Sequence, residues 1–459
     1  YKDRAIVAER IRIALGGKKE DHNVIQVIDI ACDECPVAGH VVTDLCRGCV
    51  AHACVDACKL GAITVDSHQK AEIDKSKCVE CGKCAKSCPY SAIANFKRPC
   101  ERACKVDAIS MAPDGVAQID SEKCIECGAC VYKCPFGATL DVSSITDIIK
   151  TILESENNEK FHVHAIVAPA IAGQFQYAKP GQIISAIREL GFYAVEEVAL
   201  GADIVAYKEA EELQEKGFLT SSCCPAFVKY IKMKFPQLAE HISHNLSPMA
   251  ETGKLIKEQD PDAKIVFIGP CTAKKGEVRK PEVHQYVDYV MTFEELQAMI
   301  DSKDIAVDQL PETELDTATY YGRVFARTGG LSEAVTEAVR EQKAAAEAAK
   351  ADAPDGAGAS GAVASGESGA SGKPANGDGD SADSKPFVFD PIVCDGIDSC
   401  KTALLRASKG LLPNNFIEGM VCTDGCIGGA ACLSHGNADK RAIDNYGKKA
   451  SHKEIRDVL

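Results

Sequence analysis

The sequence has no tryptophan, and it has no run of roughly 18 or more uncharged apolar residues, which argues against a membrane-spanning helix. Positive charge is also short. The 52 lysines and arginines face 67 acidic residues, a net charge of −15, so a nucleic acid is repelled overall. Residues 1–19 carry charges throughout and lack the apolar middle of an export leader, which sets the expectation of a cytoplasmic protein. The abrupt start leaves open a segment ahead of it. A length of 459 residues implies two to four domains, and a hydrophobic content of 46% supplies real cores. What the chain has in excess is cysteine, 24 in all. In a reducing compartment so many thiols are expected to hold metal, not to pair as disulfides.

Sixteen of the 24 lie between Cys32 and Cys134. Two runs, Cys78-x2-Cys81-x2-Cys84-x3-Cys88-Pro89 and Cys124-x2-Cys127-x2-Cys130-x3-Cys134-Pro135, match the bacterial ferredoxin spacing. In it three close thiolates grip one 4Fe–4S cluster and the fourth reaches the neighbouring cluster. Structural zinc is the plainer alternative, disfavoured by two copies of so long a pattern. Cys46-x2-Cys49-x4-Cys54-x3-Cys58 is an expanded partner for the first run. By the crossed rule Cys46, Cys49, Cys54 and Cys88 hold one cluster, and Cys78, Cys81, Cys84 and Cys58 the next. Ahead of the second run stands only Cys100-x3-Cys104. Cys104 then completes the cluster of Cys124, Cys127 and Cys130. Cys100 and Cys134 need two more ligands, and Cys32-x2-Cys35 remains for a fourth cluster. This last assignment is arithmetic, and it leaves open free thiols or another metal at Cys32 and Cys35. A row of clusters is a wire and supplies no substrate chemistry by itself.

From about Phe161 strands and helices alternate. Residues 162–168 and 264–268 read as short buried strands, and 183–190 and 227–235 as helices. That alternation implies an α/β domain in which ligands sit where strand ends meet helix starts. Three cysteine segments fall at such junctions. They are Cys223-Cys224-Pro225, Gly269-Pro270-Cys271-Thr272-Ala273-Lys274-Lys275, and Met420-Val421-Cys422-Thr423-Asp424-Gly425-Cys426. Pro225 suits the first turn of a helix, which places Cys224 at its amino end, where free N–H groups favour a thiolate or an anionic cluster.

Together with Gly322-Arg323-Val324-Phe325-Ala326-Arg327-Thr328-Gly329-Gly330, these segments resemble the signature loops of the iron-only (FeFe) hydrogenases. The wording of residues 267–270 and 418–421 is closest to the monomeric group B branch. The resemblance implies an H-cluster, a 4Fe–4S cube joined to a two-iron unit carrying CO, cyanide and an azadithiolate. By position Cys224, Cys271, Cys422 and Cys426 hold the cube, with Cys426 bridging to the two-iron unit. Cys223 is the thiol that exchanges protons with the azadithiolate nitrogen, its ordinary pKa of roughly 8.5 lying near operating pH. Glu209, Glu212 and Ser243 match the family's relay to the surface. Spacing of three puts both carboxylates on one helix face, though Lys208, Glu211 and Glu215 beside them also fit an ordinary solvated helix. Lys274 matches the lysine that contacts a cyanide, while Lys275 is expected to point elsewhere. Pro169, Ala170 and Met420 match pocket positions. Ala170, Gly269 and Met249 depart from the best-known branch, where serine, methionine and glutamine are usual, which puts speed and preferred direction in doubt.

The expected organisation is a segment at 1–30, a ferredoxin-like α+β region of two tandem dicluster units at 31–140, and an α/β H-cluster domain at 141–459. Residues 344–385, nearly all Ala, Gly, Ser, Asp and Glu, read as a disordered insertion within that domain. Cys394, Cys400 and Cys432 fit no cluster run and read as buried structural thiols. The resemblance implies reversible reduction of protons to H2, with electrons from a low-potential carrier such as ferredoxin, near roughly −400 mV. It also implies dedicated hydrogenase maturation enzymes. Lys97, Arg98, Arg102 and Lys105 form a local basic group that either docks such a carrier or neutralises anionic clusters. Two rivals remain at this point, a hydrogen-sensing regulator and a non-catalytic iron–sulfur assembly scaffold.

Overall fold

The computed structural model describes residues 1–17, 21, 23–35, 38–351 and 387–459. Two parallel sheets form the frame of the larger part. The first has four strands in the order Ala194–Glu197, Val163–Val167, Lys264–Gly269 and Tyr289–Thr292. The second has three, Leu219–Thr220, Phe416–Met420 and Pro391–Asp395. Val163–Val167 and Phe416–Met420 are buried at every position, as expected of parallel strands covered on both faces. The expected helices appear at Pro180–Glu189 and Pro225–Lys234, with Cys224 as the N-cap of the second.

All of these strands run the same way within their sheets, so their carboxyl ends gather. Val167 leads into Pro169, Gly269 into Cys271, Thr220 into Cys223 and Cys224, and Met420 into Cys422. The 322–330 stretch closes one side of this gathering. Arg323, 1% exposed, pairs with Glu197 through Nε at 2.8 Å and Nη2 at 3.1 Å, while Arg327 pairs with Asp444 and Glu333.

Among the described residues the cysteine-rich region is built from four two-stranded antiparallel sheets and short helices. One turn recurs four times. The backbone N–H of Ala62, Ala92, Ala108 and Ala138 donates to the sulfur of Cys58, Cys88, Cys104 and Cys134 at 3.3, 3.4, 3.2 and 3.2 Å. The residue just before each alanine (Gly61, Ser91, Asp107 and Gly137) has a positive φ of 52–62°, a conformation that folds the chain back over the sulfur. Because the donors are backbone groups, alanine repeats while the left-handed residue varies.

This region joins the parallel sheets through Lys275, whose Nζ reaches Asp141 at 2.6 Å and Glu295 at 2.8 Å. Lys229 pairs with Glu126 at 2.9 Å, and the Thr272 hydroxyl donates to the Glu126 carbonyl at 2.7 Å. Gly128 permits the approach, since a Cβ there would lie 2.6 Å from both Ala430 and Thr272.

The expected disorder from residue 344 is corrected at its start. The helix Gly330–Ala351 continues through the first eight residues of that stretch, because a run of Ala, Glu and Lys is among the best helix formers. The remainder, 352–385, lies outside the described residues.

Candidate active site

The strand ends enclose a cavity of about 100 Å³, lined by Cys223, Cys224, Cys271, Cys422 and Cys426 and walled by Pro169, Val198, Met249, Phe267, Phe325 and Met420. Three segments separated by up to about 200 residues thus deliver these five sulfurs to one space. Burial pushes all five thiols up. Cys271 and Cys426 reach about 12, and the charges of the neighbouring cysteines add to the effect. As free thiols they stay protonated at neutral pH, so binding iron must release protons. Backbone N–H groups of Val421, Phe227 and Ala226 point at the Cys224 sulfur and offset part of its burial. This is the helix-start arrangement that favours an anion.

Lys274 stands at the same cavity, 7% exposed. Burial works against its charge, yet Glu277 and the nearby Cys271 and Cys223 hold its pKa above the ordinary lysine value. Its Nζ lies 2.6 Å from Glu277 Oε2, an ion pair that engages one of the ammonium's three donors and leaves others for an anionic group in the cavity. Four convergent thiols, a buried cation and no carboxylate in the lining fit a cubane with an anionic iron unit beside it. Lys275 does point elsewhere, into the ion pairs described above.

Cys223 is 8% exposed and pushed well above the ordinary thiol range, first by burial and then by the charges of Glu209, Cys224 and Cys426. The ordinary thiol pKa near operating pH is thereby corrected, and the thiol rests protonated. Behind it lies Glu209, fully buried, with Oε1 accepting from the Ser222 N–H at 3.4 Å and Oε2 without a hydrogen-bond partner among the described residues. Burial pushes the Glu209 carboxyl up to about 8. Ser243 lies beside it, and its hydroxyl donates to Glu212 Oε2 at 2.9 Å. Glu212 accepts further from Asn245 Nδ2 at 2.9 Å, the His244 N–H at 3.1 Å and Lys216 Nζ at 2.6 Å, where the path meets solvent. On this helix Glu209 is buried while Glu211 and Glu215 are exposed. Asn245, Ser222 and Lys216 were not anticipated. The available signal was the spacing of two between Ser243 and Asn245 and of four between Glu212 and Lys216.

Two pocket expectations change. Ala170 is fully buried within the apolar core behind the first sheet, outside the residues lining the cavity, because the short helix Pro169–Gly173 turns it inward. Pro169 and Met420 do line the cavity. At Gly269 a Cβ would lie 2.5 Å from Phe267 Cζ. The Phe267 ring, unanticipated, takes the space a longer side chain at 269 would use.

The remaining cysteines gather in sets. Cys104, Cys124, Cys127 and Cys130 line one small cavity, and Cys32, Cys35, Cys100 and Cys134 another. Cys54 feels the charges of Cys88 and Cys49, and Cys84 those of Cys78 and Cys81. Cys46, Cys54, Cys58 and Cys84 share one core. Cys130 neighbours Cys100, and Cys127 neighbours Cys224 and Cys422 while lining the main cavity. The set of Cys32, Cys35, Cys100 and Cys134 and that of Cys104, Cys124, Cys127 and Cys130 therefore lie in succession toward it. Arg98 is 5% exposed and acts on Cys35, so it is no part of a surface patch. Arg102 and Lys105 line a cleft of about 660 Å³ that reaches Cys104 and Cys422, and Lys97 is exposed. Cys394, Cys400 and Cys432 are buried, the last donating to the Ile427 carbonyl at 3.3 Å.

The family description "Iron only hydrogenase large subunit, C-terminal domain" matches residues 161–430, and "4Fe-4S dicluster domain" matches 45–92 and 98–138. The chain is similar to iron hydrogenase 1 of Clostridium pasteurianum, 30% identical over 60% of this chain and 52% of that protein. It is also similar to the cytosolic Fe-S cluster assembly factor NAR1 of Kluyveromyces lactis, 37% identical over 21% of this chain and 20% of that one. Among solved structures, a variant of the FeFe-hydrogenase HydA1 from Chlamydomonas reinhardtii shares the fold, with a TM-score of 0.50 and 19% identity over 69% of this chain and 92% of that chain. The chain spans about half the length, or less, of the curated relatives it matches. No helix among the described residues is long and apolar enough to cross a membrane. With its parallel strand ends converging on a cysteine-lined cavity and a ferredoxin-like cysteine run beside it, this chain belongs to the iron-only hydrogenase large-subunit family.

Proposed function

We propose that the chain is a cytoplasmic FeFe hydrogenase catalysing 2H⁺ + 2e⁻ ⇌ H2, with electrons exchanged with a low-potential carrier such as ferredoxin. The observation that carries this reading is the fifth thiol. Four of the cavity cysteines suffice for a cubane, and Cys223 beside them opens onto the buried carboxyl of Glu209. When bound, the H-cluster supplies the redox chemistry and the site at which H–H bonds form or break.

The protein's own groups do the rest. Cys224, Cys271, Cys422 and Cys426 hold the cube, and Lys274 offers its ammonium to the anionic iron unit. The apolar wall of Pro169, Val198, Met249, Phe267 and Met420 excludes bulk water. Cys223 holds a proton at its sulfur, and Glu209, protonated below a pH of about 8, replenishes it. Ser243 turns its hydroxyl between the two carboxylates, and Glu212 exchanges with solvent through Asn245, His244 and Lys216.

The set of Cys104, Cys124, Cys127 and Cys130 next to the cavity, and the sets of Cys32, Cys35, Cys100 and Cys134, of Cys46, Cys49, Cys54 and Cys88, and of Cys58, Cys78, Cys81 and Cys84, would each hold a 4Fe–4S cluster, which would supply electron transfer. Placement in the group B branch rests on the wording of residues 267–270 and 418–421 alone.

A second reading, an iron–sulfur assembly scaffold, is favoured by the similarity to NAR1. A scaffold has no use for a buried thiol–carboxyl path to solvent. Infrared spectroscopy of protein produced with hydrogenase maturation enzymes separates the two. CO and cyanide bands with H2 turnover are expected, and a band-free spectrum of protein with filled 4Fe–4S sites supports the scaffold.

A further inference from the structure

The carboxyl ends of the first sheet carry the active cavity, and its opposite edge carries a second cluster of ligand-type side chains. His162 and His164 stand two residues apart at the start of the strand Val163–Val167, so both rings project from one face of the sheet. Asp260 caps the helix Pro248–Gln259 just before the neighbouring strand. Ligand atoms of these three residues lie within 4.8 Å of one another. Distance along the strand from His164 to Pro169 is roughly 17 Å, so this cluster is separate from the iron-binding cavity.

The two rings are prepared differently. Nδ1 of His164 lies 2.8 Å from Glu196 Oε1. A carboxylate only accepts, so Nδ1 bears the proton and Nε2 is left with a lone pair. That nitrogen is buried, on a residue 7% exposed, and has no hydrogen-bond partner among the described residues. It lies 3.8 Å from Asp260 Oδ2. A histidine whose outer N–H is held by a carboxylate while the other nitrogen is free is the arrangement found at metal-ligating imidazoles. His162 is stacked on Tyr193, ring centroids 3.7 Å apart, which fixes its plane, and its Nδ1 lies 2.7 Å from Asp260 Oδ2. Ligands on a tetrahedral zinc ion stand about 3.3 Å apart. The two measured edges, 2.7 and 3.8 Å, bracket that value.

The geometry points to a zinc-type divalent metal site at His162, His164 and Asp260, with Glu196 as the positioning residue for His164. Two imidazoles and one carboxylate form an N/O donor set suited to zinc, and the partly exposed side of His162 and Asp260 leaves the fourth position to water. Binding forms Zn–N bonds to both rings and a Zn–O bond to Asp260. The His162 ring proton moves from Nδ1 to Nε2 as Nδ1 takes the metal, so the neutral imidazole gives up no net proton.

The test uses the full chain with its iron–sulfur sites filled, titrated with zinc chloride alone and freed of unbound metal. One zinc per chain is expected, with an X-ray absorption shell of N/O at about 2.0 Å and no sulfur at about 2.3 Å. His164→Gln and Asp260→Asn each lose that equivalent. Glu196→Gln keeps it with affinity weakened about tenfold or more. Should His164→Gln fail to fold, His162→Gln on the open side carries the same expectation. Absence of any zinc, zinc bound through sulfur only, or an N/O-bound equivalent that persists in the histidine and aspartate variants overturns the site.

Discussion

The chain gathers cysteines in two ways. In three of the four cysteine sets of the ferredoxin-like region three ligands come from one short run, and the same sulfur-capping turn recurs at Cys58, Cys88, Cys104 and Cys134. In the hydrogenase domain each ligand loop leaves a different strand, and the sheets bring the loops together. Local sites of the first kind are closed by their own backbone and suit electron carriage. Sites assembled from remote loops leave room inside, and here that room admits a free thiol, a buried ammonium and a carboxyl path. A wire needs enclosure, whereas an active centre needs a vacancy surrounded by groups with different tasks.

Cys271→Ala tests the remote assembly most severely. Loss of the cube at the cavity and of all H2 turnover is expected, while electron paramagnetic resonance still shows the ferredoxin-like clusters. Cys223→Ala should keep the infrared bands of the assembled centre and lower turnover by about 100-fold or more, the scale of removing a general acid. Wild-type turnover in that variant breaks the assignment.

Glu209→Gln removes the next proton carrier and should cost about 10- to 100-fold. Its pH signature is separate. A carboxyl raised to about 8 in the fold binds its proton more tightly than in the unfolded chain. Its stabilising contribution is therefore full below the ordinary carboxyl range and is lost as pH rises toward 8, by up to about 1.4 kcal/mol per pH unit. Thermal scans from pH 5 to 8 should show a slope in the wild type that flattens in Glu209→Gln.

Cys100→Ser tests the other half of the comparison. Carrier-driven H2 evolution should fall several-fold, while exchange between H2 and D2O, which needs no external electrons, stays near the wild-type rate. The smallest effect is expected of Lys229→Met at the junction of the two regions. Its ion pair with Glu126 is partly exposed and is worth about 0–1 kcal/mol, a shift of a few degrees at most by calorimetry.

Residue spacing carried the wire sites because a cluster held by one run needs its ligands at fixed short intervals. Counting alone also brought Cys32 and Cys35 together with Cys100 and Cys134. Strand and helix positions at 162–168, 183–190, 227–235 and 264–268 were legible to within a few residues from hydrophobic periodicity. The inward turn of Ala170, the Phe267 ring over Gly269, the Asn245 contact to Glu212 and the burial of Arg98 were not. Each depends on what a neighbouring segment places alongside, and no local pattern records that.

By itself, then, the order of residues determined which groups are available and the local geometry around each short cysteine run, since those depend on nearest neighbours along the chain. Only the tertiary structure decided which of those groups meet. Parallel pairing aligned the strand ends, and the burial that followed lifted Cys223 and Glu209 out of their ordinary proton affinities. Desolvation is a property of the surroundings in three dimensions, which is why a glutamate at 211 faces solvent while burial pushes the carboxyl of the one at 209 up.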